Sequence, residues 1–305
     1  MRGDLALAER ILRDACGSRL RTDYPLAPLT TFRIGGPADL YLEPQDEADL
    51  EAAGLAVREA GVAVAILGKG SNVLVADAGF RGLILRLGHG FRWAARDGDR
   101  MTTGGAMPLP ALAGVALRHA LAGLEFGVAI PASLGGAVRM NAGAHGREMA
   151  DVVERIEVFS LLEGVAHGVA AADAGFAYRR SALPKDGVIT GATLRLASGE
   201  AAVIRAVMDE AREWRRATQP LAEPNCGSVF ENPPGQHAAS LIEAAGLKGA
   251  RVGDATVSTK HANFIIAGPR ATAEDVLELI RTVRERVVRD AGISLRTEVH
   301  MLGGS

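Results

Sequence analysis

Val62-Ala63-Val64-Ala65-Ile66-Leu67-Gly68-Lys69-Gly70-Ser71-Asn72-Val73-Leu74-Val75 is a compact apolar run, a glycine-rich turn and a second apolar run. Val62 to Leu67 reads as a strand, and the five residues after it as a tight loop. Upstream, Ala38, Leu40 and Leu42 alternate with polar or aromatic neighbours, which suits a strand ending at Pro44. Asp46 then caps a helix running to about Ala60. Strand, helix, strand and loop make a small α/β unit. The backbone N–H groups of such a turn can form an anion-binding nest for a diphosphate, and a plain strand-to-strand turn has the same composition. Val73 occupies the third glycine position of GxGxxG, and no Walker phosphate loop occurs. A Rossmann nicotinamide site is therefore not indicated.

Working outward, Asp4 to Ala15 reads as a short amphipathic helix, with Asp4 as N-cap and Leu5, Ala8, Ile11, Leu12 and Ala15 on one face. Strand-like runs recur at Leu83–Leu87, Val152–Leu162 and Val188–Leu196, and Leu109–His119 reads as a helix. Between them lie Ile130-Pro131-Ala132-Ser133-Leu134-Gly135-Gly136 and Asn141-Ala142-Gly143-Ala144-His145-Gly146. A helix whose first turn carries Ser133, Gly135 and Gly136 offers N–H groups to phosphate oxygens; close helix–sheet packing explains the small residues equally well. The last third predicts a charged helix over Ala201–Arg216 and a helix over Ala238–Ala245 ended by Gly246. A strand follows over Asn263–Ile266, then a long helix over Thr272–Asp290 and a closing strand over Leu295–Leu302. Asp275 stands three residues after Thr272, a variant of the capping box.

The bulk numbers bound the function. A chain of 305 residues can bury a large core and divide into two or three domains. A net charge of -2 speaks against a nucleic-acid binder. Cys16 and Cys226 lie far apart with no CxxC, so neither a disulfide framework nor a zinc site is suggested, and a reducing cytoplasm fits. Met1-Arg2-Gly3-Asp4 opens no signal peptide, and no apolar run reaches the ~18 residues of a membrane span.

Three phrases carry polar residues suited to chemistry: Tyr178-Arg179-Arg180-Ser181, Asn225-Cys226-Gly227-Ser228-Val229-Phe230 and Arg296-Thr297-Glu298-Val299. Arg179, Ser228 and Glu298 together supply a carboxylate anchor, a proton donor and an ionisable partner, the set needed to reduce an unsaturated acid beside a hydride carrier. Taken singly, each has a bland reading: a surface arginine, a turn serine and a solvated strand face. No GxSxG elbow surrounds Ser228, which disfavours a hydrolase nucleophile. His261 follows Lys260 without a neighbouring carboxylate, and a lone histidine is more often structural.

In this order, the phrases resemble the UDP-N-acetylenolpyruvoylglucosamine reductase (MurB) family of bacterial cell-wall synthesis. The matching stretches are Thr30-Thr31-Phe32-Arg33-Ile34-Gly35-Gly36-Pro37-Ala38, Gly68–Val75, Ile130–Gly146, Tyr178–Ser181, Gly227–Phe230 and Arg296–Val299. The likeness runs from about residue 24 to the end, and six motifs in order make it specific. It implies an α+β fold: a two-subdomain FAD-binding fold of the vanillyl-alcohol-oxidase (PCMH) type plus a C-terminal α/β substrate-binding domain. The expected division is an N-terminal helix over 1–20, a flavin domain over 21–198 with subdomains of about 21–88 and 89–198, and a substrate domain over 199–305. The last strand of that domain returns to the active site.

The resemblance also assigns roles. FAD, held non-covalently, is expected against Gly68, Lys69, Gly70, Ser71, Asn72 and Val73. The second set of flavin contacts is Ile130, Pro131, Ser133, Gly135 and Gly136, followed by Asn141, Gly143, Ala144, Gly146 and Ile189. Arg179 and Glu298 bracket the substrate carboxylate, and Ser228 gives the proton. Tyr178, Asn232 and His261 are expected at the UDP-sugar. No extra tyrosine-bearing loop is inserted, so the chain resembles the shorter branch of the family. Glu231 departs from the basic residue that relatives often show before Asn-Pro.

The implied activity is that of a UDP-N-acetylmuramate dehydrogenase. NADPH reduces the flavin, and the flavin reduces the enolpyruvyl ether to the lactyl ether of UDP-N-acetylmuramate. That step serves peptidoglycan synthesis and, through it, cell shape, the cell cycle and division. A cytoplasmic monomer without membrane or nucleic-acid partners is expected. Two other readings stay open on sequence: an oxygen-using oxidase on the same fold, and a nucleotide-sugar binding protein without catalysis.

Overall fold

The computed structural model describes residues 3–304. Helix α1 (Leu5–Cys16) begins where the Asp4 carboxylate accepts the Leu7 N–H. Its buried face is Ala8, Leu12 and Cys16; Ala15, expected on that face, is exposed. β1 (Leu20–Pro25) and β2 (Pro37–Leu42) follow. α2 (Glu47–Ala60) is capped by Asp46 and stopped by Gly61 in the left-handed region, where a glycine carries no Cβ penalty. β3 (Val64–Ile66), β4 (Val73–Val75) and β5 (Phe80–Leu85) come next.

The middle of the chain holds β6 (Ala94–Asp97), β7 (Arg100–Gly104), α3 (Leu109–Arg118), β8 (Leu121–Ala122) and α4 (Leu134–Arg139). It continues through β9 (Gly143–Ala144), β10 (Arg147–Glu148), β11 (Val153–Ser160), β12 (Val165–Ala170), β13 (Gly187–Arg195) and β14 (Ala197–Ser198). The last third carries α5 (Ala201–Thr218), α6 (Ala238–Ala244), β15 (Arg251–Val252), β16 (Ala255–Val257), β17 (Ile265–Ala267), α7 (Ala273–Ala291) and β18 (His300–Leu302).

Two compact units result. The first comprises the described residues up to Asp23, then Asp39–Lys69 and Gly82–Trp214. The second comprises Tyr24–Ala38, Gly70–Arg81 and the described residues from Arg215 onward. Both units are discontinuous in sequence, whereas the expected division at residues 20, 88 and 198 is contiguous. The helix expected to stand alone, α1, lies against α2 in the first unit, with Leu12 and Cys16 sharing a core with Leu50 and Ala53.

The first unit contains a sheet of order β1-β2-β5-β3, in which β3 and β5 run parallel with Ile66 opposite Leu85. It also contains a sheet of order β12-β11-β13-β7-β6, antiparallel throughout. Strand β11 serves two cores. Ile156 and Val158 join Met101, Leu112 and Leu134 beneath α3 and α4, whereas Phe159 joins Leu42, Leu50 and Leu85. Val158 and Phe159 are successive strand residues and so face opposite sides, and a register shift against β13 falls between Glu157 and Val158.

The second unit is built on the sheet β15-β16-β17, with α6 and α7 packed on Val257 and Ile265 through Ile242, Leu279 and Val283. Thr272 and Asp275 form the reciprocal cap that the sequence predicts at the start of α7. Phe32, 1% exposed, and Leu74 complete this core from early in the chain, which is why those segments leave the first unit. Burying a Phe side chain contributes about 1.5–3 kcal/mol. The closing strand is shorter than expected. Only His300–Leu302 forms a ladder, parallel to β4, while residues 296–298 pair instead with 229–231.

Candidate active site

In the first unit a cavity opens at the C-terminal ends of the parallel strands β3 and β5. Gly68 and Lys69 line it after β3, and Arg86 and Leu87 line it after β5. Arg92, Gly105, Ser133, Gly135, Gly136, Arg139 and Ile189 complete most of the wall. Glycine is required on this wall. A Cβ on Gly105 would lie 2.0 Å from the Ile189 carbonyl oxygen, and one on Gly68 would lie 2.6 Å from Ser133 Oγ. Four cations and no carboxylate line the cavity. Burial, and then the charges of Arg86 and Arg92, hold the Lys69 ammonium below the usual lysine range. Arg139 is tied to the carbonyls of Leu183, Pro184 and Gly187 and brings its charge to the wall.

The source of anion contacts differs from the sequence expectation. At the start of α4 the Leu134 N–H donates to Met107 O at 2.8 Å and the Gly135 N–H to Gly105 O at 2.9 Å. The Gly136 N–H turns to Ser133 Oγ at 3.4 Å. That first turn therefore has no amide to give a phosphate. The N–H groups of Gly68 and Lys69, by contrast, meet no acceptor among the described residues. Glycine-shaped walls, free loop amides and an all-cation lining fit a flavin nucleotide, whose diphosphate needs positive partners.

Of the expected flavin contacts, Gly68, Lys69, Ser133, Gly135, Gly136 and Ile189 line this one cavity. Ile130, Pro131, Asn141, Gly143, Ala144 and Gly146 do not line it. Asn141 is fully buried, donating to Ala177 O and accepting the Ala150 N–H, so its amide is consumed inside the protein. What it holds is the tight turn Ala177–Arg180, in which Ala177 and Arg180 exchange backbone hydrogen bonds.

Arg179 occupies that turn at φ 56°. The left-handed region costs a non-glycine residue about 1–2 kcal/mol, and strain of this kind clusters at functional sites. The guanidinium donates to Gly143 O at 3.1 Å and lies over the Tyr178 ring, 4.8 Å from its centroid. Gly143 and Ala144 pair with Glu148 and Arg147 in the β9–β10 hairpin, and Gly146 makes its turn at φ 75°. The hairpin thus orients Arg179.

In the second unit the Ser228 segment and the Glu298 segment lie side by side. The Glu298 N–H donates to Val229 O at 2.8 Å, and Phe230 bridges Thr297. Ser228 and Glu298 are both half-buried. Gly227, at φ 79°, donates its N–H to Asn225 Oδ1 at 2.9 Å, which fixes the turn before the serine. Asn72 Nδ2 donates to the Glu298 carbonyl at 3.1 Å, so this side chain, expected on the flavin, anchors the glutamate backbone. Ser71 and Val73 flank it, and Val73 pairs with His300 in the β4–β18 ladder.

Asn232 Oδ1 accepts the Ala238 N–H at 3.0 Å at the start of α6, where it acts as a cap, and the residue stays exposed. Glu231 stands 3.9 Å from Arg296. His261 accepts the Asn263 N–H on Nδ1 at 3.3 Å and stacks edge-on against Phe264. Burial, and then Lys248, hold its pKa below the usual histidine range, so it is a neutral ring. Burial pushes the Cys226 thiol far up, which removes it as a nucleophile.

Sequence reasoning missed Arg86, Arg92 and Arg139. A signal existed for Arg86: it directly follows the apolar run Leu83–Leu85, where a parallel strand delivers its next residue to the crevice at the sheet's edge. Arg139 gave no such sign, since its place depends on the fold of residues 183–187.

Comparisons with known proteins show the family and the fold. The family described as FAD binding domain matches residues 38–166, and the one described as UDP-N-acetylenolpyruvoylglucosamine reductase, C-terminal domain, matches residues 219–302. A protein of Anaeromyxobacter dehalogenans (strain 2CP-C) named UDP-N-acetylenolpyruvoylglucosamine reductase is 49% identical over 97% of this chain and 89% of its own length. The crystal structure of UDP-N-acetylenolpyruvylglucosamine reductase from Thermus caldophilus superposes with a TM-score of 0.81 at 38% identity, covering 93% of this chain and 100% of that one. Wild-type Phl p 4.0202, a glucose dehydrogenase, shares the fold alone, with a TM-score of 0.51 at 11% identity over 94% of this chain and 63% of its own.

Proposed function

The chain belongs to the UDP-N-acetylenolpyruvoylglucosamine reductase family, and from that premise we propose that it reduces the enolpyruvyl ether of UDP-N-acetylglucosamine to the lactyl ether of UDP-N-acetylmuramate, with NADPH as reductant. The observation that carries the reading is the adjacency of Ser228 and Glu298, joined through the Glu298 N–H to Val229 O bond at 2.8 Å. FAD, when bound, would supply the hydride chemistry that links NADPH to the terminal vinyl carbon of the substrate.

The chain's own residues supply the rest. Lys69, Arg86, Arg92 and Arg139, with the amides of Gly68 and Lys69, would hold the flavin diphosphate. Arg179 meets the substrate carboxylate with paired, charge-assisted hydrogen bonds, and it stabilises the negative charge that spreads into that carboxylate as hydride arrives. A guanidinium suits this task because it stays charged at any working pH. Glu298, on the other side of the carboxylate, is compatible with it when protonated or paired to a cation, since nearby negative charge raises a carboxyl pKa. Ser228 delivers its hydroxyl proton to the carbon that bears the ether oxygen. Serine is a weak acid, but the carbon it protonates is a strong base, so transfer runs downhill. Hydride at one carbon and proton at the next convert the double bond to the lactyl single bond.

Tyr178, Asn232 and His261 belong to the UDP-sugar side of this reading, His261 through a neutral Nε2–H donor. The flavin work falls to residues 21–198 and the substrate work to 199–305, with β18 returning to the site. We place the reaction in the cytoplasm, with a monomer as the working unit. Two buried, unpaired cysteines fit a reducing compartment, and among the described residues no helix is long and apolar enough to cross a membrane.

The test separates the two halves of the reaction. Ser228→Ala leaves flavin reduction by NADPH intact and slows flavin reoxidation by the enolpyruvyl substrate by at least ~10²–10⁴, the scale of general-acid catalysis. Stopped-flow absorbance reads each half. Equal slowing of both halves removes Ser228 from its role.

A further inference from the structure

A single buried side chain from another element grips the segment that carries Ser228. Asn263 lies in the loop ahead of β17 and is 4% exposed. Its Oδ1 accepts the Phe230 N–H at 2.9 Å, and its Nδ2 donates to Phe230 O at 2.8 Å. Its own carbonyl accepts the Val229 N–H at 2.9 Å. The side-chain amide thus takes the place of a peptide group, and residues 229–230 are paired as if against a strand.

The opposite edge of the same two residues belongs to the glutamate segment. There Val229 O accepts the Glu298 N–H at 2.8 Å, and Arg296 O accepts the Glu231 N–H at 2.9 Å. The Val229–Phe230 pair is therefore a rail with Asn263 on one side and Glu298 on the other, and Ser228 is the next residue along it. Asn263 is itself held. Its N–H meets His261 Nδ1 at 3.3 Å, and Ser258 Oγ accepts the N–H groups of Lys260 and His261 at 3.1 and 3.3 Å.

We propose that Asn263 is a positioning residue for the reduction, setting the register of Ser228 against Glu298 through its two-point bond to the Phe230 backbone. The inference rests on the reading of Ser228 as proton donor. Only an amide of this length both donates and accepts at one backbone residue. Aspartate lacks the donor, and an apolar side chain leaves two buried peptide groups unpaired. A displacement of ~1 Å at a reacting group costs about 10²-fold in rate.

The experiment uses the full chain loaded with FAD and compares Asn263→Ala with Ser228→Ala and with the double variant. The expected result for N263A is reoxidation by the enolpyruvyl substrate slowed by about 10²-fold, with reduction by NADPH unchanged and the substrate KM unchanged while kcat falls. In the S228A background, N263A adds no further slowing, because the hydroxyl it aims is gone. Equal slowing of both half-reactions, or rate losses that multiply in the double variant, would overturn the proposal in favour of a purely structural role. Slow reoxidation in S228A with fast reoxidation in N263A overturns the Asn263 proposal alone, whereas fast reoxidation in S228A overturns the Ser228 reading and this one with it. Where N263A fails to hold flavin, Asn263→Asp carries the same test: it keeps the acceptor for the Phe230 N–H but sets a carboxylate oxygen against Phe230 O, so the same selective slowing of reoxidation is expected, and reoxidation at the natural rate overturns the proposal.

Discussion

Replacing Arg179 by glycine and by alanine separates what its backbone costs from what its side chain does. Both variants lose the hydrogen bond to Gly143 O and the contact with the Tyr178 ring, so those losses cancel in the difference between them. What remains is the residue's φ of 56°. Alanine still pays the left-handed penalty of about 1–2 kcal/mol, and glycine does not. Against this, glycine's looser unfolded chain costs roughly 0.4–1 kcal/mol. Arg179→Gly is then more stable than Arg179→Ala by about 0.5–1 kcal/mol, the reverse of the usual order at an ordinary position. Thermal unfolding with FAD bound resolves this, as a change of 1 kcal/mol moves Tm by about 2–4 °C in a unit of this size. Both variants lose reoxidation by the enolpyruvyl substrate to the same extent. Alanine equal to or more stable than glycine would refute the strain argument. A glycine variant that keeps full activity would refute the carboxylate anchor.

Removing Arg86 and Arg92 together weakens FAD binding to the apoprotein about 10–100-fold, because two charge-assisted contacts of roughly 1.5–3 kcal/mol are lost in part to remaining solvent. Flavin fluorescence titration reads it, and the loss shrinks as salt is raised; an unchanged affinity would show that the diphosphate does not sit by these cations. Burial, reinforced by a hydrogen bond to Asp49, pushes the Cys16 thiol up to about 11. A raised folded-state pKa means stability that is present below the unfolded pKa, near 9, and is lost as pH climbs from there to about 11. Alkaline denaturation therefore begins earlier in the natural chain than in Cys16→Ala corrected for its cavity, and equal pH profiles would refute the assignment. At pH 8, Ellman's reagent reacts with neither cysteine until denaturant is added.

The sequence carried the local signals faithfully. Asp46 and Gly61 bound α2, and Thr272 with Asp275 starts α7, because a cap is a matter of a few adjacent residues. It also carried the glycines at 68, 135 and 136, since a wall that leaves little room for a Cβ leaves its mark in composition. It did not carry who bonds to those glycines' amides. Ser133, Gly135 and Gly136 looked like a phosphate cup, yet the Leu134 and Gly135 N–H groups are taken by Met107 O and Gly105 O, a pairing no local pattern encodes, and the Gly136 N–H turns to Ser133 Oγ. The closing strand failed for a related reason. Leu295 to Leu302 reads as one apolar alternation, but the chain changes partner at Val299, from residues 229–231 to β4. Ser228 and Glu298 could be joined only through the resemblance to a family, because the sixty-nine intervening residues must fold before they meet.

The interleaving of the two units bears on how the protein is born. The chain passes from one unit to the other at 23/24, 38/39, 69/70, 81/82 and 214/215. Phe32 and Leu74 leave the ribosome early, but the side chains that shelter them, from Val229 to Val299, arrive last. Until residues 226–299 have been made, these two apolar residues have no home, and any fragment stopped near residue 214 keeps them homeless. No single cut in the sequence separates the two units, and the core of the second is complete only once residue 299 has emerged.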